Sequence, residues 1–193
     1  MDTMKFSETE IEHLLKAWVA ITLAFAILFS KGDVFSSTFT YYLLISGLTV
    51  GVGFLLHEMG HKYMAQKYNC YAEFRAFNTM LVLAILMSFF GFIFAAPGAV
   101  MIQGYINKER NGKISLAGPL VNIILGVIFL GLLLVGIYPE IMGLGLMINT
   151  LLAGFNMIPF LNFDGKKILA WNKTVYFVTL GAIVALMIAR GFV

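Results

Sequence analysis

Along this chain apolar residues come in long runs, and the polar ones fall mostly where those runs stop. A polar opening through Glu12 carries Ser7 and Glu10 at the spacing of a helix capping box, and Leu14 to Phe29 follows as the first run, closed by Ser30-Lys31-Gly32-Asp33. The second run extends from about Tyr41 through His61 and ends at Lys62 and Lys67. Three more run from Ile114 to Ile137, from Ile141 to about Phe160 beyond a Tyr138-Pro139-Glu140 corner, and from Thr174 to Ala189. Roughly 20 apolar residues cross a bilayer core as helix, so each of the five reads as a membrane span. Between the second and third lies Met80 to Ile102, long enough to cross but broken by Pro97-Gly98 and weak at Ser88-Phe89-Phe90-Gly91.

Composition sharpens this into a class. With 60% hydrophobic and 12% charged residues and a mean hydropathy of +0.89, the 193-residue chain is no soluble globule. The expected architecture is an all-α multi-pass membrane protein with five or six transmembrane segments, forming one membrane-embedded domain over residues 1–193. The formal charge of +3 sits in short clusters beside apolar runs, which excludes a nucleic-acid face and makes the lysines and arginines topology markers. Acidic residues near the N-terminus do not fit a secretory signal. Cys70, the lone cysteine, allows no intrachain disulfide.

The markers constrain the broken run. Lys62 and Lys67 put the end of the second span on the cytoplasmic side, and Lys108, Arg110 and Lys113 put the start of the third on the same side. An even number of crossings must lie between, so residues 80–102 are expected to dip in and return as a re-entrant loop or hairpin, with an extended strand near Ala96 to Ile102. Irregular backbone at membrane depth needs cover from protein or a watery cavity. An exposed strand edge there could pair with an unwound peptide.

Within the second run stands His57-Glu58-Met59-Gly60-His61. Residues four apart share a helix face, so both imidazoles can reach one ion, while Glu58 is turned about a third of the way round and is placed to touch a water. Three ionisable residues in five, each costing ~2.5 kcal/mol or more inside a bilayer, call for a compensating partner, and a divalent cation is the simplest. A catalytic zinc takes three protein ligands and leaves a position for water. Of the aspartates, Asp2, Asp33 and Asp164, only the last follows a proline-broken helix end near a membrane face. One zinc per chain is therefore assigned to His57, His61 and Asp164, with Glu58 as general base and acid. Asn156, at the end of the fourth run, could donate to a developing oxyanion or could simply bond between helices. Gly118, Asn122 and Gly126 make a small and polar stripe that should face another helix; Asn122 itself reads as packing. His13, at the entrance of the first run, reads as interfacial and not as a ligand.

Three ordered motifs, His57-Glu58-x-x-His61, Ala117-Gly118-Pro119-x-x-Asn122 and Asn156-x-x-Pro159-x-x-x-x-Asp164-Gly165, resemble the site-2 protease family of intramembrane zinc metalloproteases over residues of about 41–173. The resemblance implies zinc on His57, His61 and Asp164, a water activated by Glu58, and Asn156 near the scissile peptide. The leading reading is thus an endopeptidase whose substrate is a transmembrane segment of another protein, cut near the membrane surface; the charge markers put the active site toward the cytoplasmic side, and the cell membrane is the expected location. Lys166 departs from the second glycine of many members, and the chain has no room for their PDZ or CBS domains. Two other readings use the same ligands: a transporter or metal-handling protein, and an inactive relative that binds membrane partners. Glu58 has no task in the former, and the intact ligand set speaks against the latter.

Overall fold

The structure is a computed structural model and describes residues 4–93 and 96–191. Its helices are α1 (Glu8–Phe29), α2 (Ser37–Ser46), α3 (Val52–Lys67), α4 (Asn78–Ser88), α5 (Lys108–Leu134), α6 (Pro139–Asn156), α7 (Asp164–Trp171) and α8 (Lys173–Gly191). A π-helical stretch, Gly47–Gly51, joins α2 to α3, and two strands, β1 (Tyr71–Ala76) and β2 (Gly98–Gln103), form one sheet. Among the described residues, four helical stretches are long and apolar enough to cross a membrane: Glu8–Phe29, Ser37–Lys67, Lys108–Leu134 and Lys173–Gly191. The expected all-α class thus becomes mostly helical with a two-stranded sheet. The fourth expected span ends at Asn156 as α6, whose Glu140, Asn149, Thr150 and Asn156 dilute its apolar character.

The chain divides into two compact units. The first comprises Met1–Leu55 and Ala72–Met101. Ser7 caps α1 by accepting from Glu10 N, as the capping-box spacing predicts. The Glu10 carboxylate accepts from Phe74 N at 2.9 Å, and His13 Nδ1 accepts from Ala76 N at 3.2 Å. Those two amides lie two residues apart on β1 and so point the same way. Side chains of α1 therefore take the place of a strand along that edge. His13, read from sequence as interfacial, is a sheet-edge acceptor.

Gly47 and Gly51 lie against α1, where an added Cβ at Gly51 would sit 2.6 Å from the Trp18 ring. The Trp18 indole N–H donates to Gly47 O at 3.0 Å, occupying a carbonyl of the π-helical stretch. Four residues apart, Gly47 and Gly51 have the G-x-x-x-G spacing that lets helices approach closely, and close packing is its use here. Within the same unit, Phe77 N donates to Pro97 O at 3.0 Å. The segment between them, including the 11-residue α4, leaves and returns to one point.

The second unit comprises Leu56–Tyr71 and Ile102–Val193. Here α5 starts earlier than the apolar run suggests, because the Asn107 side chain accepts from Arg110 N at 2.9 Å and caps it. Asn111-Gly112, a turn signal in isolation, lies inside this helix. Gly112 is there because the Trp171 side chain of α7 occupies the space of its missing Cβ. The turn into α6 uses Gly136 (φ +76°) and Tyr138 (φ +38°), with Pro139 at the first helical position. Beneath α6 and α8, Ala153, Met157, Ile168, Tyr176 and Ile183 make a buried cluster, and Tyr176 Oη donates to Met157 O. Lys62 is fully buried, so among the two lysines that end the second span only Lys67 is an exposed topology marker.

Candidate metal centre

Helical spacing brings His57 and His61 together on α3, their Nε2 atoms 3.0 Å apart. Each ring is held from behind by a group that fixes where its proton lies. Ile114 O, a main-chain carbonyl that can only accept, lies 2.8 Å from His61 Nδ1. Asn122 Oδ1, also only an acceptor, lies 2.6 Å from His57 Nδ1. Both Nδ1 atoms therefore carry hydrogen, and both Nε2 atoms present lone pairs to the same point. Pro119 lies one turn on in the same helix and, having no N–H, cannot donate to Ser115 O, the carbonyl next to the Ile114 O that His61 uses.

Asp164 opens α7, and its Oδ2 lies 3.1 Å from His61 Nε2 and 3.5 Å from His57 Nε2. Glycine must follow it, since a Cβ at Gly165 would strike the main chain of Met157. The other oxygen, Oδ1, has Lys167 Nζ at 3.7 Å.

The three atoms fit a metal. Bonds of about 2.0–2.1 Å in a tetrahedron put neighbouring ligands about 3.3 Å apart, and the triangle here has edges of 3.0, 3.1 and 3.5 Å. Glu58 is buried beside it, with a carboxylate oxygen within 4.8 Å of both histidine nitrogens. That oxygen is a candidate ligand too, but Asp164 already closes the triangle at ligand–ligand distances. Such a set, two neutral imidazoles and a carboxylate, is the donor chemistry that zinc favours in hydrolases.

Gly118 gives the centre its room. A Cβ there would lie 2.5 Å from His61 Nε2 and 2.6 Å from His57 Nε2. On the opposing helix a Cβ at Gly60 would lie 2.9 Å from Ala117 O. The small stripe on α5 does face other helices, as its pattern predicts, with Gly126 against Leu186 and Thr150. Asn122, read from sequence as packing, holds His57. The Asn156 amide donates to Leu152 O at 3.0 Å, one turn back on α6. Sequence reading passed over Asn149, whose Oδ1 accepts from Asn122 Nδ2 at 3.0 Å. A polar residue within an apolar helix was the available signal.

Comparison with known proteins agrees with this chemistry. A Methanocaldococcus jannaschii protein named "Putative zinc metalloprotease MJ0611" is 41% identical over 182 residues, covering 91% of this chain and 91% of the relative. Another protein of that organism, "Zinc metalloprotease MJ0392", is 35% identical over 123 residues, 61% of this chain and 31% of the longer relative. No protein-family model matches the chain, and no solved structure gives a significant match.

Proposed function

The chain belongs to the zinc metalloprotease family of MJ0611, and from that premise we propose that it is an intramembrane endopeptidase of the site-2 protease kind, cutting transmembrane segments of other proteins. The observation that carries the reading is the buried triangle of His57, His61 and Asp164 ligand atoms in a chain whose described residues include four helices fit to cross a membrane. These residues would hold one zinc per chain. Zinc, when bound, supplies Lewis-acid activation of water and of the peptide carbonyl. Glu58 accepts the proton of the attacking water at its carboxylate and passes it to the leaving amide nitrogen. The decisive experiment is metal analysis of the purified protein with cleavage of a transmembrane substrate. Stoichiometric zinc without cleavage of any such substrate would favour a metal-handling role.

Asn156 is assigned to the reacting peptide. Its replacement by Ala is expected to lower turnover by about tenfold to a few hundredfold with metal in place. Unchanged kinetics with a lower melting temperature would leave it the bond to Leu152 O alone.

The site is assigned to the cytoplasmic side of the cell membrane, with residues 80–102 re-entrant. The hydrogen bond from Phe77 to Pro97 supports that course, since a segment that returns to its start has not crossed. Single cysteines replacing Arg75 and Arg110 in a Cys70→Ser background should label from one and the same side with an impermeant reagent. Labelling from opposite sides would refute this topology.

A further inference from the structure

The two histidines of the centre are secured differently. His61 donates straight to a main-chain carbonyl, which cannot turn round. His57 donates to a side-chain amide, and an amide has two ends. Flipped by 180°, Asn122 would present Nδ2 to His57, and a hydrogen-bonded ring would then have to accept at Nδ1 and carry its proton on Nε2, the atom needed for metal. Something must hold Asn122 one way round.

That something lies on α6. Asn149 Nδ2 donates to Gly145 O at 2.9 Å, and a main-chain carbonyl only accepts. Asn149 is thereby oriented with Oδ1 free to accept, and Asn122 Nδ2 donates to it at 3.0 Å. The orientation of Asn122 leaves Oδ1 for the N–H of His57. Asn122 and Asn149 are both fully buried, so bulk water does not compete for these bonds. Every donor along the chain His57, Asn122, Asn149, Gly145 follows from its last carbonyl.

We infer that Asn149 is a positioning residue for the metal centre: through Asn122 it keeps the Nε2 lone pair of His57 directed at the ion. This rests on the zinc reading above and assigns Asn149 no contact with substrate or metal. Loss of an outer hydrogen-bond partner of a metal-bound histidine typically costs about 10–100-fold in metal affinity.

The test uses the full chain in detergent, stripped of metal and titrated with cobalt(II) and with zinc against a chelator. Asn149→Leu, which removes the acceptor, should weaken binding about tenfold or more and alter the cobalt absorption bands. Asn149→Asp, which keeps an acceptor for Asn122, should restore much of the affinity. Asn122→Asp offers His57 an acceptor at either end and needs no orienting, so in that background Asn149→Leu should lose most of its effect on affinity. A role in packing alone would lower apo-protein stability equally in both backgrounds and leave the cobalt bands alone, and that result would overturn the inference. Should Asn149→Leu fail to fold, the smaller Asn149→Ala, which also lacks an acceptor, replaces it in the same cycle, with the same two outcomes. A parent protein that binds neither metal would instead sink the zinc reading itself.

Discussion

Glu58→Gln should cut peptide cleavage by about a hundredfold to ten-thousandfold while zinc content stays at the parental level. The expectation follows from how the carboxylates divide. Asp164 Oδ2 already sits 3.1 and 3.5 Å from the two Nε2 atoms and completes the ligand triangle without Glu58. Glu58 lies next in the buried wall, within 4.8 Å, which suits a group acting on water beside the ion. Glutamine keeps the size but cannot take up a proton, so the step lost is general-base catalysis, worth about 10²–10⁴. Asp164→Ala should do the reverse and lose the metal first. Zinc content and single-turnover cleavage, measured on both variants, separate the roles. If Glu58→Gln loses zinc while Asp164→Ala keeps it, the two carboxylates exchange assignments. Full cleavage by Glu58→Gln would place the base elsewhere.

What could be read from the sequence was whatever depends on short spacing. His57 and His61 face one point because four residues make nearly a full helical turn, and Gly47 and Gly51 face a neighbour for the same reason. The strand at Gly98–Gln103 was visible in outline because Pro97-Gly98 breaks an apolar run. Its partner β1 was not, since Tyr71–Ala76 carries Glu73 and Arg75 in a stretch that reads as a polar connection. Its burial depends on Glu10 and His13, some 60 residues away in the chain. The helix through Asn111-Gly112 was hidden likewise, because local turn propensity points one way and packing against Trp171 points the other. Asn149 escaped notice because its meaning lies in an amide on another helix. Lys62 shows the opposite failure: a lysine at the end of a span reads as a membrane-surface charge, and here it is fully buried.

Gly118→Ala is expected to weaken metal binding about tenfold to a hundredfold, and cleavage with it, although the new methyl group adds neither charge nor a ligand. Its Cβ would lie 2.5 Å from His61 Cε1 and Nε2 and 2.6 Å from His57 Nε2, the atoms that form the centre. Neither ring can retreat cheaply. His61 is tied through Nδ1 to Ile114 O, four residues before the substituted position on the same helix, and His57 is tied to Asn122, four residues after it. Moving α3 away as a whole would give up the close approach of Gly60 to Ala117 O. Overpacking of this kind costs about 1–3 kcal/mol, and each 1.4 kcal/mol is tenfold in an equilibrium constant. If that strain falls on the ligand geometry, it is read directly as lost affinity in a chelator competition. Gly131→Ala is the matched control: it lies on the same helix, a Cβ there meets nothing within 4 Å, and alanine is the better helix former by about 0.5–1 kcal/mol. It should leave metal affinity unchanged and raise thermal stability slightly. Parental affinity in Gly118→Ala would show that the two imidazoles do not need this gap, and with it would fall the account of why a glycine stands opposite His57 and His61.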